Sequence, residues 1–132
     1  MSDIRVISRA DLDPGTAQTP GMTRLAGVAE STCGASELWM GEVSNAPGWR
    51  SGPHHHGDVE SGIYVVSGRI AVRWGDALSQ RAEAGAGEFI FVPPGLVHQE
   101  INLSDEEPVV LVVARGGDNI VVNVEIPEAA AG

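Results

Sequence analysis

The 132-residue sequence predicts an all-β domain, a sandwich or small barrel of about ten short strands. Three observations carry this. Glycine and proline are frequent, at 17 and 8 residues, and they punctuate the chain at short intervals. Between these breaks the apolar residues alternate with polar ones or form short valine-rich runs. No long stretch shows the 3.6-residue period of a helix, so helix is expected to be minor. A hydrophobic content of 42% is enough for a buried core. One domain is expected over residues 1–132, with an N-terminal strand or arm over about 1–24.

Ile4 to Ile7 reads as a first short strand, and Asp11 to Arg24 as an extended arm broken by Pro14-Gly15 and Pro20-Gly21. Leu25 to Ala29 and Glu37 to Val43 are the next strands, followed by a turn at Asn45-Ala46-Pro47-Gly48. Ile63 to Val66, the pair Ser67-Gly68 and then Arg69 to Trp74 read as strand, tight turn, strand. In the second of these, Arg69, Ala71 and Arg73 oppose Ile70, Val72 and Trp74, the mark of a half-buried strand. Leu78 to Ala84 is a weaker candidate. Phe89 to Val92 is apolar and is closed by Pro93-Pro94-Gly95. Leu96 to Leu103 follows, with His98, Glu100 and Asn102 on one face. Val109 to Ala114 and Ile120 to Val124 are nearly continuous apolar runs, as in strands buried on both sides. The tail from Pro127 is expected to fray.

The formal charge of −10 rests on 18 acidic against 8 basic side chains. Such a surface repels phosphate backbones and anionic lipid, so neither nucleic acid nor membrane is an expected partner. Cys33, the one cysteine, has no internal disulfide partner and is read as a small, partly buried apolar residue. The N-terminus lacks the apolar run of a signal peptide, and no stretch reaches the length of a membrane span. The expectation is a soluble, cytoplasmic protein.

The segment Pro53-His54-His55-His56-Gly57-Asp58-Val59-Glu60 carries the chemistry. In an extended chain alternate residues share a face, so His54 and His56 point one way and His55 the other. Two imidazoles on one face can converge on one ion. Glu60, across a turn, offers a carboxylate, and His98, the remaining histidine, sits on a distant strand. Three histidines and a glutamate suit a divalent transition metal with positions left open for water or substrate. A histidine-rich polar loop without metal is the competing explanation from spacing alone.

Two motifs resemble those of the cupin family. The first runs from Gly48 to Gly68, with five residues between Gly48 and His54 and three between His56 and Glu60. The second places Gly87, Pro93, Gly95, His98 and Asn102 at the family's spacing. In one departure, seven residues separate Glu60 from Gly68 where the family has six. Ser61 therefore stands at the family's ligand position. Facing flips with each residue along a strand, so Glu60 reaches the metal only if a bulge redirects it. Serine is the poorer ligand, and Glu60 is taken with the three histidines. The combination of Thr19 to Arg24, the histidine triplet and the two motifs resembles small single-domain cupins, mostly bacterial, that carry a sugar-isomerase-like label.

The resemblance implies a small antiparallel β-barrel, or jelly roll, of two sheets. One Fe, Mn, Ni, Cu or Zn ion would be held inside by His54, His56, Glu60 and His98, with pairing into a homodimer through an N-terminal strand. Oxygenase or oxidase chemistry and isomerase or lyase chemistry on a small organic substrate both follow from such a site. A non-catalytic cupin that binds a ligand or metal as a sensor or accessory module is the alternative. Glu100 and Tyr64 are the candidate catalytic side chains, from their parity with His98 and Glu60. Arg24, Arg50 and Asn102 are the candidate substrate contacts. Trp39 and Trp49 are read as packing residues. No Gly-x-Ser-x-Gly elbow or glycine-rich phosphate loop competes with the metal reading.

Overall fold

A computed structural model describes residues 3–125. The tail expected to fray from Pro127 lies outside the described residues. Ten strands run in the order β1 (Met22–Val28), β2 (Trp39–Asn45), β3 (His54–His55), β4 (Ser61–Ser67), β5 (Arg69–Trp74), β6 (Gln80–Gly85), β7 (Phe89–Val92), β8 (His98–Asn102), β9 (Val109–Arg115) and β10 (Val122–Asn123). The helix α1 (Glu30–Cys33) is a single turn between β1 and β2, and two 3-10 turns complete the regular structure. Two antiparallel five-stranded sheets result, in the orders β1-β2-β9-β4-β7 and β10-β3-β8-β5-β6. This is the jelly-roll arrangement expected from the sequence. No helix among the described residues is long and apolar enough to cross a membrane.

The core lies between the sheets because each strand turns one set of alternate residues inward. Val109, Leu111 and Val113 of β9 and Ile63 and Val65 of β4 come from the first sheet, and Ile70 and Ala84 come from the second. Fully burying a valine, leucine or isoleucine side chain contributes about 1.5–3 kcal/mol. Val110 and Val112 on the other face of β9 are only half-buried, so this valine run is covered more thoroughly on one side. The β4–β5 connection requires glycine at position 68. Its φ is +87°, and a Cβ there would come within 3.0 Å of the Pro108 carbonyl oxygen.

Two apolar runs do not form the expected strands. Ile4 to Ile7 has no strand structure, and Ile4 and Val6 are 97% and 91% exposed. Apolar residues specify a strand only where an edge supplies hydrogen bonds, and the described residues offer this segment none. Ile120 to Val124 shrinks to the two-residue β10 at a sheet edge, with Ile120 and Val122 exposed rather than buried on both sides. The expected arm is also shorter, because Met22 to Arg24 already belong to β1. The rest of the arm packs along β1. Asp13 bridges Ala26, and the Gln18 side chain bonds both backbone groups of Arg24.

Candidate metal centre

His54 of β3 and His98 of β8 are direct cross-strand partners, so adjacent strands present their imidazoles side by side. His56 lies just beyond β3 and shares its inward face with His54, while His55 turns away and accepts the Gly57 N–H at 3.0 Å through Nδ1. The ring centroids of His54, His56 and His98 lie 4.5–5.2 Å apart. Glu100 follows His98 by two residues on β8 and joins them. One donor atom from each of these four buried residues falls within 4.8 Å of the others.

The backbone fixes which nitrogen each ring offers. Nδ1 of His54, His56 and His98 contacts the carbonyl oxygens of Gly52 (2.9 Å), Ile120 (2.7 Å) and Leu96 (2.9 Å). A carbonyl only accepts, so each Nδ1 carries the proton and donates it, and the lone pair resides on Nε2. Burial, then the positive charge of Arg115, pushes His56 down to about 3 against the opposing pull of the Ile120 carbonyl. Burial likewise lowers His98. Neutral imidazoles are the ligand form.

His54 Nε2 lies 3.4 Å and His98 Nε2 3.8 Å from Glu100 Oε2. Yet His54 Nε2 is buried and makes no hydrogen bond. Burial opposes the charge on Glu100, and the nearby Arg24 guanidinium favours it. A carboxylate oxygen and imidazole lone pairs aimed at one another in a buried space repel unless a cation lies between them. Metal–N and metal–O bonds of about 2.0–2.2 Å place neighbouring donors about 3–4 Å apart, which the two measured separations satisfy. The donor set therefore fits a divalent transition ion.

The structure does not bring Glu60 into this cluster. Glu60 is exposed just before β4, and Ser61 is the residue that turns inward, with its hydroxyl accepting a hydrogen bond from Arg115 Nη1. The extra residue before Gly68 leaves Ser61 inside, and no bulge reverses the facing between Glu60 and Ser61. The register shift in β4 occurs later, between Val65 and Ser67. The same parity places Tyr64 outside, 37% exposed, with its ring tilted against Phe89 at a centroid distance of 4.8 Å, so it does not join the cluster.

Of the other predicted residues, Arg24 is buried and lines the cavity beside His56, His98 and Glu100. Arg50 does not join it. It is exposed and borders an outer cleft with Arg73 and Leu103. Asn102 is buried but its amide donates to the carbonyls of Asn45, Ala46 and Glu107, while its oxygen accepts from Ser104 N–H. That makes it a clamp on the β8–β9 loop rather than a substrate contact. Trp39 is buried in the core, and Trp49 is half-buried with its indole N–H on the Pro20 carbonyl. Sequence reasoning missed two residues. Arg115 continues the inward parity of Val109, Leu111 and Val113 beyond the predicted strand end at Ala114. Ser51 pins Glu100 by accepting its N–H at Oγ and donating its own N–H to the Glu100 carbonyl, both at 2.9 Å.

Two cavities meet at His98 and Val92. The inner one, about 10 Å³, is lined by His56, Glu100, Arg24 and Arg115 and has room for about one ion or water. The second, about 270 Å³, is walled by Val72, Trp74, Ile90, Phe91 and Leu96. A larger polar cavity of about 360 Å³ lies under the arm and touches none of the four cluster residues.

The family model of the cupin domain matches residues 41–115. Polyketide synthase CurC of Streptomyces cyaneus is 30% identical over 104 residues, which cover 78% of this chain and 64% of that protein, so the chain spans somewhat less than two thirds of this relative's length. The polyketide cyclase RemF of Streptomyces resistomycificus superposes with a TM-score of 0.74 at 22% identity, over 97% of this chain and 90% of that one. Oxalate decarboxylase of Bacillus subtilis gives a TM-score of 0.69 at 20% identity, over 86% and 32%. At such identities the structural likenesses speak for the fold alone. With the domain match spanning both histidine motifs, the chain belongs to the cupin family.

Proposed function

We propose that the chain is a metal-dependent enzyme that binds one divalent transition ion through His54, His56, His98 and Glu100 and promotes cyclisation-type, carbon–carbon bond-forming chemistry on a small polyketide-like substrate. The observation that carries the reading is that one donor atom from each of three buried histidines and one buried carboxylate lies within 4.8 Å of the others, with His54 Nε2 making no hydrogen bond among the described residues. The likeness to CurC and RemF supports the substrate class.

An ion held by His54, His56, His98 and Glu100 would supply Lewis-acid polarisation of a carbonyl oxygen. The chain's own part is orientation and exclusion. The carbonyls of Gly52, Leu96 and Ile120 lock the three rings, and Ser51 fixes the backbone at Glu100. Val92, Ile63 and Val113 border the inner cavity and keep bulk water from it. Locking the rings in advance avoids reorganisation when a substrate oxygen arrives.

The test is to load tag-free protein with Zn, Mn, Fe, Ni or Cu in turn and incubate it with a short linear poly-β-ketone. Metal-dependent, chelator-sensitive formation of a cyclised product is expected. Substrate-dependent oxygen uptake would place the enzyme among oxidases instead, and binding without turnover would make it a ligand-binding module.

A further inference from the structure

Two buried arginines remain that the metal site does not use. Arg24 and Arg115 are 1% and 4% exposed, in a chain with only 8 basic residues. Both line the inner cavity, and among the described residues Glu100 is the one acidic residue that lines it with them. Their structural contacts are to neutral groups. Arg24 Nη1 donates to Ala17 O and Thr19 Oγ1, and its Nε is buried without a partner. Arg115 donates to Asn119 Oδ1 and Ser61 Oγ and lies 5.7 Å from the centre of the Trp39 ring. Burial lowers Arg115 only to about 10, so its charge persists at neutral pH.

Two guanidiniums against one carboxylate leave the cavity with surplus positive charge before any ion binds, and a divalent ion enlarges the surplus. Uncompensated buried charge is destabilising, and an anion is what relieves it. The adjoining cavity is apolar and aromatic. Its volume of about 270 Å³ falls just under the roughly 300–1,000 Å³ of pockets for drug-sized ligands, so it suits a small molecule.

We propose that Arg24 and Arg115 form an anion-binding wall and that the ligand is a small, largely apolar molecule carrying one anionic oxygen group. Its oxygen lies at His98, where the two cavities meet, facing the arginines of the inner one, and its body lies against Trp74, Ile90 and Leu96. Carboxylate and enolate share this chemistry. The inference rests on the metal-site reading for the position of the ligand oxygen, and deepens it by naming the charge that Arg24 and Arg115 select.

The experiment titrates metal-loaded protein by calorimetry with 2-naphthoate, its neutral counterpart 2-naphthamide, acetate, and benzoylacetone as an enolate former. Naphthoate or benzoylacetone is expected to bind at least tenfold more tightly than naphthamide. Naphthoate alone doing so identifies a carboxylate site, and benzoylacetone alone an enolate site. Acetate, which lacks the apolar body, is expected to bind at least tenfold more weakly than naphthoate. Arg115→Met and Arg24→Met should each cost at least tenfold for the preferred anion and leave naphthamide unchanged. Should either variant fail to fold, Arg115→Lys and the wild-type ligand series still decide. Equal affinity for naphthoate, benzoylacetone and naphthamide overturns the proposal, as does an Arg115→Met variant that folds and keeps its anion affinity. Metal content is measured on the same samples, so absence of metal refutes the metal site while an intact metal content without anion preference refutes the arginine wall.

Discussion

The beginning of β4 and the body of β8 each bring an acidic residue close to the inward face, with opposite outcomes. On β8 the alternation is unbroken, so His98 and Glu100, two residues apart, both point inward, flanked by cross-strand partners Trp74 and Val72 of β5. At β4 one extra residue ahead of Gly68 leaves Glu60 in solvent and seats Ser61 inside. A single-residue change in strand phase thus exchanges a carboxylate for a hydroxyl, and Arg115 occupies that hydroxyl. The contrast teaches that a motif's spacing identifies its family, whereas strand parity decides which side chain reaches the site. In this chain the carboxylate comes from the second motif.

The largest expected effect is at β8. His98→Ala removes a ligand and the cross-strand partner of His54, and should lower metal affinity at least about 100-fold in a competition titration with a chelator. Glu100→Gln should cost on the order of 10–100-fold in the same assay, while Glu60→Gln should leave the affinity within about twofold. Adding Ser61→Glu to Glu100→Gln sharpens the comparison. It puts a carboxylate at the inward position of β4 and should recover part of the lost affinity. Ser61→Ala deletes the acceptor for Arg115 and should lower stability to chemical denaturation by about 1–3 kcal/mol, as for hydrogen bonds to charged groups. The smallest effect belongs to His55→Ala. It removes the acceptor for the Gly57 N–H at a half-buried position, so about 1 kcal/mol or less of stability and little change in metal content are expected.

Much of this was legible in the residues. Period-two alternation marks β5 at its observed limits, the apolar run closed by Pro93-Pro94-Gly95 marks β7, and strand parity sets His54 with His56 and His98 with Glu100, because local facing is a property of the strand itself. What failed depended on partners. Ile4 to Ile7 and Ile120 to Val124 have strand composition, but pairing is a tertiary property, and most of their apolar side chains stay exposed. Tyr64 shares the parity of Glu60, so both face outward once Ser61 turns in. Arg115 could have been found by extending the inward series of Val109, Leu111 and Val113 one step. An arginine at the end of an apolar run reads as a strand terminus unless the parity is followed through.

The central claim is that Glu100, not Glu60, completes the three-histidine site. It is tested most directly by metal analysis of tag-free protein expressed in metal-supplemented medium, comparing the wild type with Glu100→Gln and Glu60→Gln. The account predicts a stoichiometric ion in the wild type and in Glu60→Gln, and a large loss in Glu100→Gln. A wild type without metal, or loss in Glu60→Gln equal to that in Glu100→Gln, would contradict it.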